Sequence, residues 1–441
     1  MYKGTNPRIR KLLYSLLIAF GLLAIRLIFV QLGAAKPLAD IASSQYRVAI
    51  SLLPKRGIIY DRNLKDLAIS INLNSVFAEP FKIKDKKSAA QKLSAILKVD
   101  SGQLLKKISQ DKGFVWLARK VDTDTARAIK VLGIKGIDFI KEPQRVYPNS
   151  GLASHVLGFT DLDNNGLEGL ELSFDKFLKG SQGWRFAIRD AKQREVPAYE
   201  CREIPPVDGD DIVLTIDNLI QAFAESELEK GYKKYNAKGA SIIVMDPFTG
   251  EILALASMPN YDPNNVKNCQ PDARRNRVIC DFFEPGSSFK IVAASALLEE
   301  KEVKLNEKFF CENGQYKWCG HVYHDHKPHG WLPFSDVIKY SSNIGTMKAA
   351  NRLGKDRFYK YIKRFGFGEK TGIEIRGEVV GVTRPPAAWS KLSLCSMAMG
   401  QEVTVTALQL ACAISALANG GYLVKPRIID RIQDKTGHVI Q

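Results

Sequence analysis

Residues 240–256 read Ala240-Ser241-Ile242-Ile243-Val244-Met245, then Asp246-Pro247-Phe248-Thr249-Gly250-Glu251, then Ile252-Leu253-Ala254-Leu255-Ala256. Two aliphatic runs, the first rich in β-branched side chains, flank a cluster of residues that reverse a chain. The stretch predicts an antiparallel hairpin. Downstream, apolar residues recur at helical spacing over 290–300, 334–340 and 345–353. Strands first and helices after, without regular βαβ alternation, predict an α+β domain whose helices pack on an antiparallel sheet.

Upstream, Pro205-Pro206-Val207-Asp208-Gly209-Asp210-Asp211 is dense in breakers and precedes a strand at 212–216 and a helix from Asn218 to about residue 232. A domain boundary is expected there. Before it, Arg56-Gly57-Ile58-Ile59-Tyr60-Asp61-Arg62-Asn63 reads as a strand entering a turn. Residues 82–98 and 100–110 carry apolar positions three and four apart with Lys on the outer face, as short amphipathic helices do. Turn formers dominate 143–171, and Gly166-Leu167-Glu168-Gly169-Leu170-Glu171 leads into an amphipathic segment ending at Gly180.

Residues 12–32, LLYSLLIAFGLLAIRLIFVQL, are long enough to cross a hydrocarbon layer of ~30 Å as one helix. Arg26 lies within snorkelling reach of the outer interface. Lys3, Arg8, Arg10 and Lys11 precede the run and only Lys36 follows it closely, which predicts a cytoplasmic N-terminus and an exported remainder. The run is too long for an ordinary signal peptide, although Gly33-Ala34-Ala35 would suit cleavage. A short juxtamembrane helix is expected next. The expected division is a cytoplasmic tail 1–11, an anchor 12–32, a pedestal 45–205, a linker and first helix 206–238, and a second domain 239–441.

The chain has 441 residues, 64 Lys plus Arg and 47 Asp plus Glu, hence a net charge of +17. Such an excess suits an anionic membrane surface or an acidic polymer. No zinc-finger spacing or RNA-binding aromatic signature accompanies it, so no nucleic-acid partner is expected. Seven Cys, at 201, 269, 280, 311, 319, 395 and 412, are too scattered for a disulfide framework. Cys311 and Cys319 could pair across their loop, but buried thiols are the plainer reading. Cys311, Cys319, His321, His324, His326 and His329 contain metal-ligand types at a spacing that fits no standard site, so a structural loop and no metal are expected.

Two short motifs carry chemistry. Glu284-Pro285-Gly286-Ser287-Ser288-Phe289-Lys290 ends a loop and opens a helix, placing Ser287 and Lys290 three apart on one face. A serine hydroxyl needs a neighbouring base, and a lysine whose charged form is disfavoured by burial can be one. The helix dipole favours negative charge developing near Ser287. Tyr340-Ser341-Ser342-Asn343-Ile344-Gly345 then places S-x-N in a break between helices, where a hydroxyl can relay a proton and an amide can hold a carbonyl. Helix capping would explain either motif alone. Order and context favour catalysis.

With RGIIYDRN, RVYPNSGLASHVLGF, GLEGLE, PVDGDDIVLTID, MDPFTGEILALASMPNYDPN, FFEPGSSFK, KYSSNIG, RFGFGEKTGIEIRGE and the ANGG segment near Leu417, the sequence resembles class B penicillin-binding proteins over nearly its whole length. The resemblance implies a membrane-anchored peptidoglycan D,D-transpeptidase that needs no cofactor and that β-lactams trap. It makes Ser287 the acylated nucleophile, Lys290 its general base, Ser341 the proton relay and Asn343 a substrate-binding amide, with Ser288 beside them on the substrate. It implies peptidoglycan stem peptides as substrate and, for the division type, a SEDS-type glycan polymerase and divisome proteins as partners. An elongation-type enzyme and a silent scaffold are the alternatives. A β-lactamase or antibiotic sensor fits poorly with so long a pedestal.

The family's third motif, K-T-G followed by a small hydroxyl residue, is not matched. Lys370-Thr371-Gly372 is followed by Ile373 within another family segment, and Lys435-Thr436-Gly437 lies in a turn near the end of the sequence. The resemblance therefore implies a transpeptidase domain cut short before its last motif.

Overall fold

The computed structural model describes residues 7–33, 47–189, 195–196 and 203–441. Lys3, Ala34, Ala35, Lys36, Cys201 and the expected juxtamembrane helix lie outside them. Helix α1 (Pro7–Ile28) runs into a π-helical turn, Phe29–Gly33. No side chain of α1 is buried, and an 18-residue window within Pro7–Gln31 has a mean hydropathy of 2.4. A helix of that length with apolar residues on every face has no aqueous solution open to it, which fits a single membrane anchor.

The pedestal comprises β1 (Arg47–Leu52), β2 (Ile59–Tyr60), β3 (Asp66–Ala78), α2 (Lys86–Leu97), α3 (Ser101–Ile108), β4 (Val115–Val121), α4 (Thr123–Val131), β5 (Ile137–Val146) and β6 (Gly183–Arg189). The predicted helices form where capping allows. Asp85, Asp100 and Asp122 accept from Ser88, Gln103 and Thr125 amides at 3.0, 2.9 and 2.8 Å, contacts worth about 1 kcal/mol each. β3 pairs antiparallel with β5 from Ile69↔Val146 to Ala78↔Ile137. Val76, Leu93, Leu104 and Ile108 close a core between that sheet and α2 and α3. The segment 169–178 forms two short helices, Gly169–Ser173 and Asp175–Leu178, where one amphipathic segment was expected.

The breaker-rich stretch 205–211 leads into β7 (Asp211–Leu214), every residue of which is buried. β7 pairs parallel with β2 on one side. On the other it pairs antiparallel with the last strand of the chain, which brings residues 429–433 to the pedestal sheet.

The second half contains α5 (Asn218–Lys234), β8 (Ala240–Met245), β9 (Ile252–Met258), α6 (Lys290–Glu299), β10 (Lys308–Phe310), β11 (Gln315–Trp318), β12 (His321–His324), β13 (Trp331–Pro333), α7 (Phe334–Lys339), α8 (Asn343–Leu353), α9 (Lys355–Arg364), α10 (Ser393–Ala398), α11 (Ala407–Ala418) and β14 (Ile429–Gln433). The expected hairpin is present: β8 and β9 pair antiparallel from Ala240↔Met258 to Met245↔Ile252. α5 and α11 pack against it. The mixed α+β class is as read, but the larger sheet is the six-stranded pedestal one, and its β2–β7 pair is parallel. Side-chain alternation gives no signal for which distant strands will meet.

The two halves are riveted where family-like segments touch. Tyr147 N donates to Asn264 Oδ1 at 3.0 Å, and Asn264 Nδ2 returns a bond to Tyr147 O at 2.9 Å. His155 Nε2 meets Ala273 O at 2.8 Å, and burial pushes this imidazole down to about 4, so it is neutral at pH 7.

Candidate active site

A buried lysine arises here because of the helix that carries it. Val292, Ala293, Ala296 and Leu297 of α6 are all fully inaccessible, so one face of the helix lies in the core while Leu298 and Glu299 stay exposed. Lys290 is its first residue and goes with it, 2% exposed. The preceding 3-10 turn, Gly286–Phe289, sends Phe289 inward against Phe367, ring centroids 4.9 Å apart, and leaves Ser287 exposed.

That turn is seated on the segment after α10. Gly286 N donates to Gly400 O at 3.0 Å, and Glu402 N to the Glu284 carboxylate at 2.9 Å. Gly400 has φ +80°, and a Cβ there would lie 2.0 Å from Gly286 O. Only glycine permits the approach.

The S-x-N stretch is a sharp break between α7 and α8. Ser341 sits at φ +56°, a left-handed backbone that is costly for a non-glycine residue and recurs at functional sites. It turns both oxygens of Ser341 toward Lys290. α8 begins at Asn343, two residues earlier than the apolar spacing predicts, because Ser342 Oγ caps it by accepting Gly345 N at 3.0 Å.

Lys290 Nζ donates to Ser341 O at 2.6 Å, to Ser341 Oγ at 3.0 Å and to Asn343 Oδ1 at 2.8 Å. An ammonium has three protons, and all three are placed. Burial nevertheless pushes Lys290 down to about 8, with the Asp325 carboxylate pulling the other way. None of the three contacts goes to Ser287. A neutral amine would release one of them and gain a lone pair, which is the state in which Lys290 can take a proton.

Ser287 and Asn343 line one open cleft of ≈ 620 Å³, together with Glu284, His321, His324, Ser396 and Glu402. The structure thus brings Ser287, Lys290, Ser341 and Asn343 together. Ser288 differs: its hydroxyl donates to Pro285 O at 2.6 Å and closes the turn from within. Neither K-T-G stretch reaches the cleft. Thr371 N and Oγ1 both donate to Glu378 at 2.6 Å, and Lys435 pairs with Asp211 beside the pedestal sheet.

Two residues that the motifs do not contain also hold the site. Asp325 accepts from Ser342 Oγ at 2.6 Å, Asn343 N at 2.6 Å and Ile344 N at 3.0 Å. His324 O accepts Asn343 Nδ2 at 2.9 Å. The sequence signal was the D-x-x-x-x-G run from Asp325 to Gly330, which matches a family loop but shows no physical role when read linearly. The His and Cys residues around it separate: His321 and His324 face the cleft, His329 stacks on Tyr340, Cys311 is buried beneath Ser342, and Cys319 is exposed at the β11–β12 turn.

Residues 51–214 match the penicillin-binding protein dimerisation domain, and residues 240–441 the penicillin-binding protein transpeptidase domain. The chain is 35% identical to stage V sporulation protein D of Bacillus subtilis, covering 98% of this chain and 69% of that protein. It is 32% identical to peptidoglycan D,D-transpeptidase FtsI of Escherichia coli, covering 86% of this chain and 64% of that one. Among solved structures, penicillin-binding protein 3 of Mycobacterium tuberculosis, complexed with aztreonam, is similar with a TM-score of 0.66 and 28% identity, covering 89% of this chain and 70% of the other. A peptidoglycan synthetase from Bifidobacterium adolescentis gives 0.70 and 27%, over 90% and 77%. With an N-terminal anchor helix, both domain types and a serine–lysine cleft in one molecule, the chain belongs to the class B penicillin-binding proteins, membrane-anchored transpeptidases of the serine type.

Proposed function

We propose that this protein is a peptidoglycan D,D-transpeptidase of cell division, with Ser287 as nucleophile, Lys290 as general base, Ser341 as proton relay and Asn343 as substrate-binding amide. The single observation that carries this reading is the buried Lys290 amine, held by Ser341 and Asn343 one turn from an exposed serine. The relatives named for peptidoglycan transpeptidation and the aztreonam-bound neighbour support the substrate class and β-lactam binding.

In this reading Ser287 Oγ attacks the carbonyl of the terminal D-Ala-D-Ala bond as Lys290 Nζ takes its proton. The Ser287 backbone N–H stabilises the oxyanion that forms. Collapse expels D-Ala, whose nitrogen receives its proton through Ser341. The ester is then attacked by an amine of a neighbouring stem peptide, which returns Ser287 to its hydroxyl form. One proton of Asn343 Nδ2 goes to His324 O, and its second is free to hold a substrate carbonyl.

The charge asymmetry around α1, with Arg8, Arg10 and Lys11 at its start, supports a cytoplasmic N-terminus and an extracytoplasmic cleft. The division of the chain at 205 and 239, with the pedestal before and the catalytic domain after, belongs to the same reading. So do a SEDS-type glycan polymerase and divisome proteins as partners, supported by the likeness to FtsI.

The test is labelling of the full membrane-anchored chain with a fluorescent penicillin. Wild type is expected to label and Ser287→Ala not to. An unlabelled wild type, or an equally labelled variant, sinks the reading.

A further inference from the structure

Asp325 belongs to neither motif and reaches α8 from a separate hairpin, eighteen positions before Asn343. Its contacts exceed what the helix start needs, since Ser342 Oγ already caps α8. The carboxylate takes the first two amides of the helix and the Ser342 hydroxyl proton, which locks α8 to the segment following β12. From that segment His324 O takes Asn343 Nδ2. The amide orientation follows: reversing it would set N–H against the Lys290 ammonium and oxygen against a carbonyl. Asn343 Oδ1 is therefore directed at Lys290 by the His324-Asp325 pair.

We propose that Asp325 is a positioning residue of the acylation reaction, its carboxylate fixing the Ser341–Asn343 turn on the Lys290 amine. This rests on the Ser287–Lys290 reading above. The other titratable groups around the cleft are Glu284 before the nucleophile turn, His321, Tyr323 and His324 on β12 and Glu402 after α10, with Cys395 buried on α10. Lys348 of α8 turns away to Glu312, and Arg357 of α9 pairs with Glu300 and Glu302 at the far end of α6. The Asp325 carboxylate, held behind Ser342 and Asn343, favours the Lys290 ammonium.

The sign of the effect follows. Lys290 must be neutral to accept the Ser287 proton, so acylation rises with pH through its titration. Removing the Asp325 charge weakens the hold on that proton and moves the rise to lower pH.

The test is stopped-flow acylation of the detergent-solubilised full chain by a fluorescent penicillin, followed from neutral to alkaline pH. Asp325→Asn is expected to shift the acid limb down by about half a unit or more and to lower the plateau about tenfold. Asp325→Glu restores the limb without restoring the plateau. Ser342→Ala, which keeps the charge but loosens the clamp, leaves the limb in place and lowers the plateau about threefold. A limb in Asp325→Asn that coincides with wild type overturns the proposal, whatever the plateau does. If Asp325→Asn does not fold, a wild-type plateau in Ser342→Ala overturns it instead. NMR of 13Cε-labelled lysine, assigned with Lys290→Arg, reads the same titration without acylation, and an unshifted Lys290 in Asp325→Asn is equally fatal. A wild type whose Lys290 titrates but which never acylates overturns the function proposed above and the acylation role of Asp325 with it, whereas an acylating wild type with an unshifted Lys290 in Asp325→Asn overturns this inference alone.

Discussion

The pedestal and the cleft both bury cationic side chains and treat them in opposite ways. In the pedestal, Arg56 and Arg145 share the fully buried Glu171. Arg56 binds one carboxylate oxygen through Nε, and Arg145 Nε binds the other at 2.6 Å. Arg56 Nη1 also reaches Asp175 at 2.6 Å. Burial pulls Arg56 down, but Glu171 and Asp175 outweigh it and hold it above its ordinary value. In the cleft, Lys290 meets a carbonyl, a hydroxyl and an amide oxygen, and the one carboxylate acting on it sits behind Ser342. Burial wins there. The pedestal neutralises two charges with two, which holds the Arg56, Arg145 and Glu171 segments together. The cleft puts only dipoles in direct contact with Lys290 and keeps the Asp325 carboxylate one residue behind them, which leaves a base.

The widest test of this contrast is Lys290→Arg, which keeps a cation but removes a group able to lose its proton near neutrality. Penicillin acylation is expected to fall by a factor on the order of 10²–10⁴ while the protein remains folded. Retained acylation would break the contrast outright. Next comes Glu171→Ala, which strands the buried Arg145 guanidinium and leaves Arg56 to Asp175 alone, and is expected to cost about 3–5 kcal/mol in urea unfolding, with the acylation rate of the folded protein unchanged. A loss below about 1 kcal/mol would mean that the pedestal cluster is not a structural lock.

Lys290→Met sharpens the same point through pH. Folded Lys290 holds its proton less tightly than the unfolded chain does, so its burial costs stability most fully below about pH 8. That cost fades as pH rises toward the ordinary 10.5. The variant is expected to be more stable than wild type by about 2–3 kcal/mol at neutral pH, with the gap closing in alkaline melts. A gap independent of pH would assign the effect to packing. The smallest effect is expected from Glu227→Gln, which removes an exposed helical ion pair with Lys230 at 2.6 Å and should change the unfolding free energy by under about 0.5 kcal/mol.

The parts of the site that could be read linearly are those with short-range geometry. Ser287 and Lys290 lie one turn apart, and S-x-N fills a helix break, so spacing alone brings each pair to one place. The apolar spacing after Lys290 predicted a helix over 290–300, but not that Lys290 would lie on its buried face. Asp325 and His324 could not be read this way, because a hairpin must fold back before their oxygens meet Asn343. Ser288 was legible as a residue but not as a contact: its hydroxyl closes the Pro285 turn, a choice made by local backbone torsions.

The segments containing Arg56, Arg145 and Glu171 stood out by resemblance, yet their common carboxylate was invisible until three distant strands and turns converged. The same holds for β14 pairing with β7. Sequence by itself determined the anchor helix, the β8–β9 hairpin, the starts of the helices at Asn218, Lys290 and Phe334 and the residue types of the site, because hydrophobic period, capping and turn chemistry act over a few residues. Tertiary structure decided strand order, the clamp on Asn343 and the proton affinity of Lys290. Those depend on which charges and dipoles are brought within a few ångströms in a desolvated interior, and neither is a property of neighbouring positions in the chain.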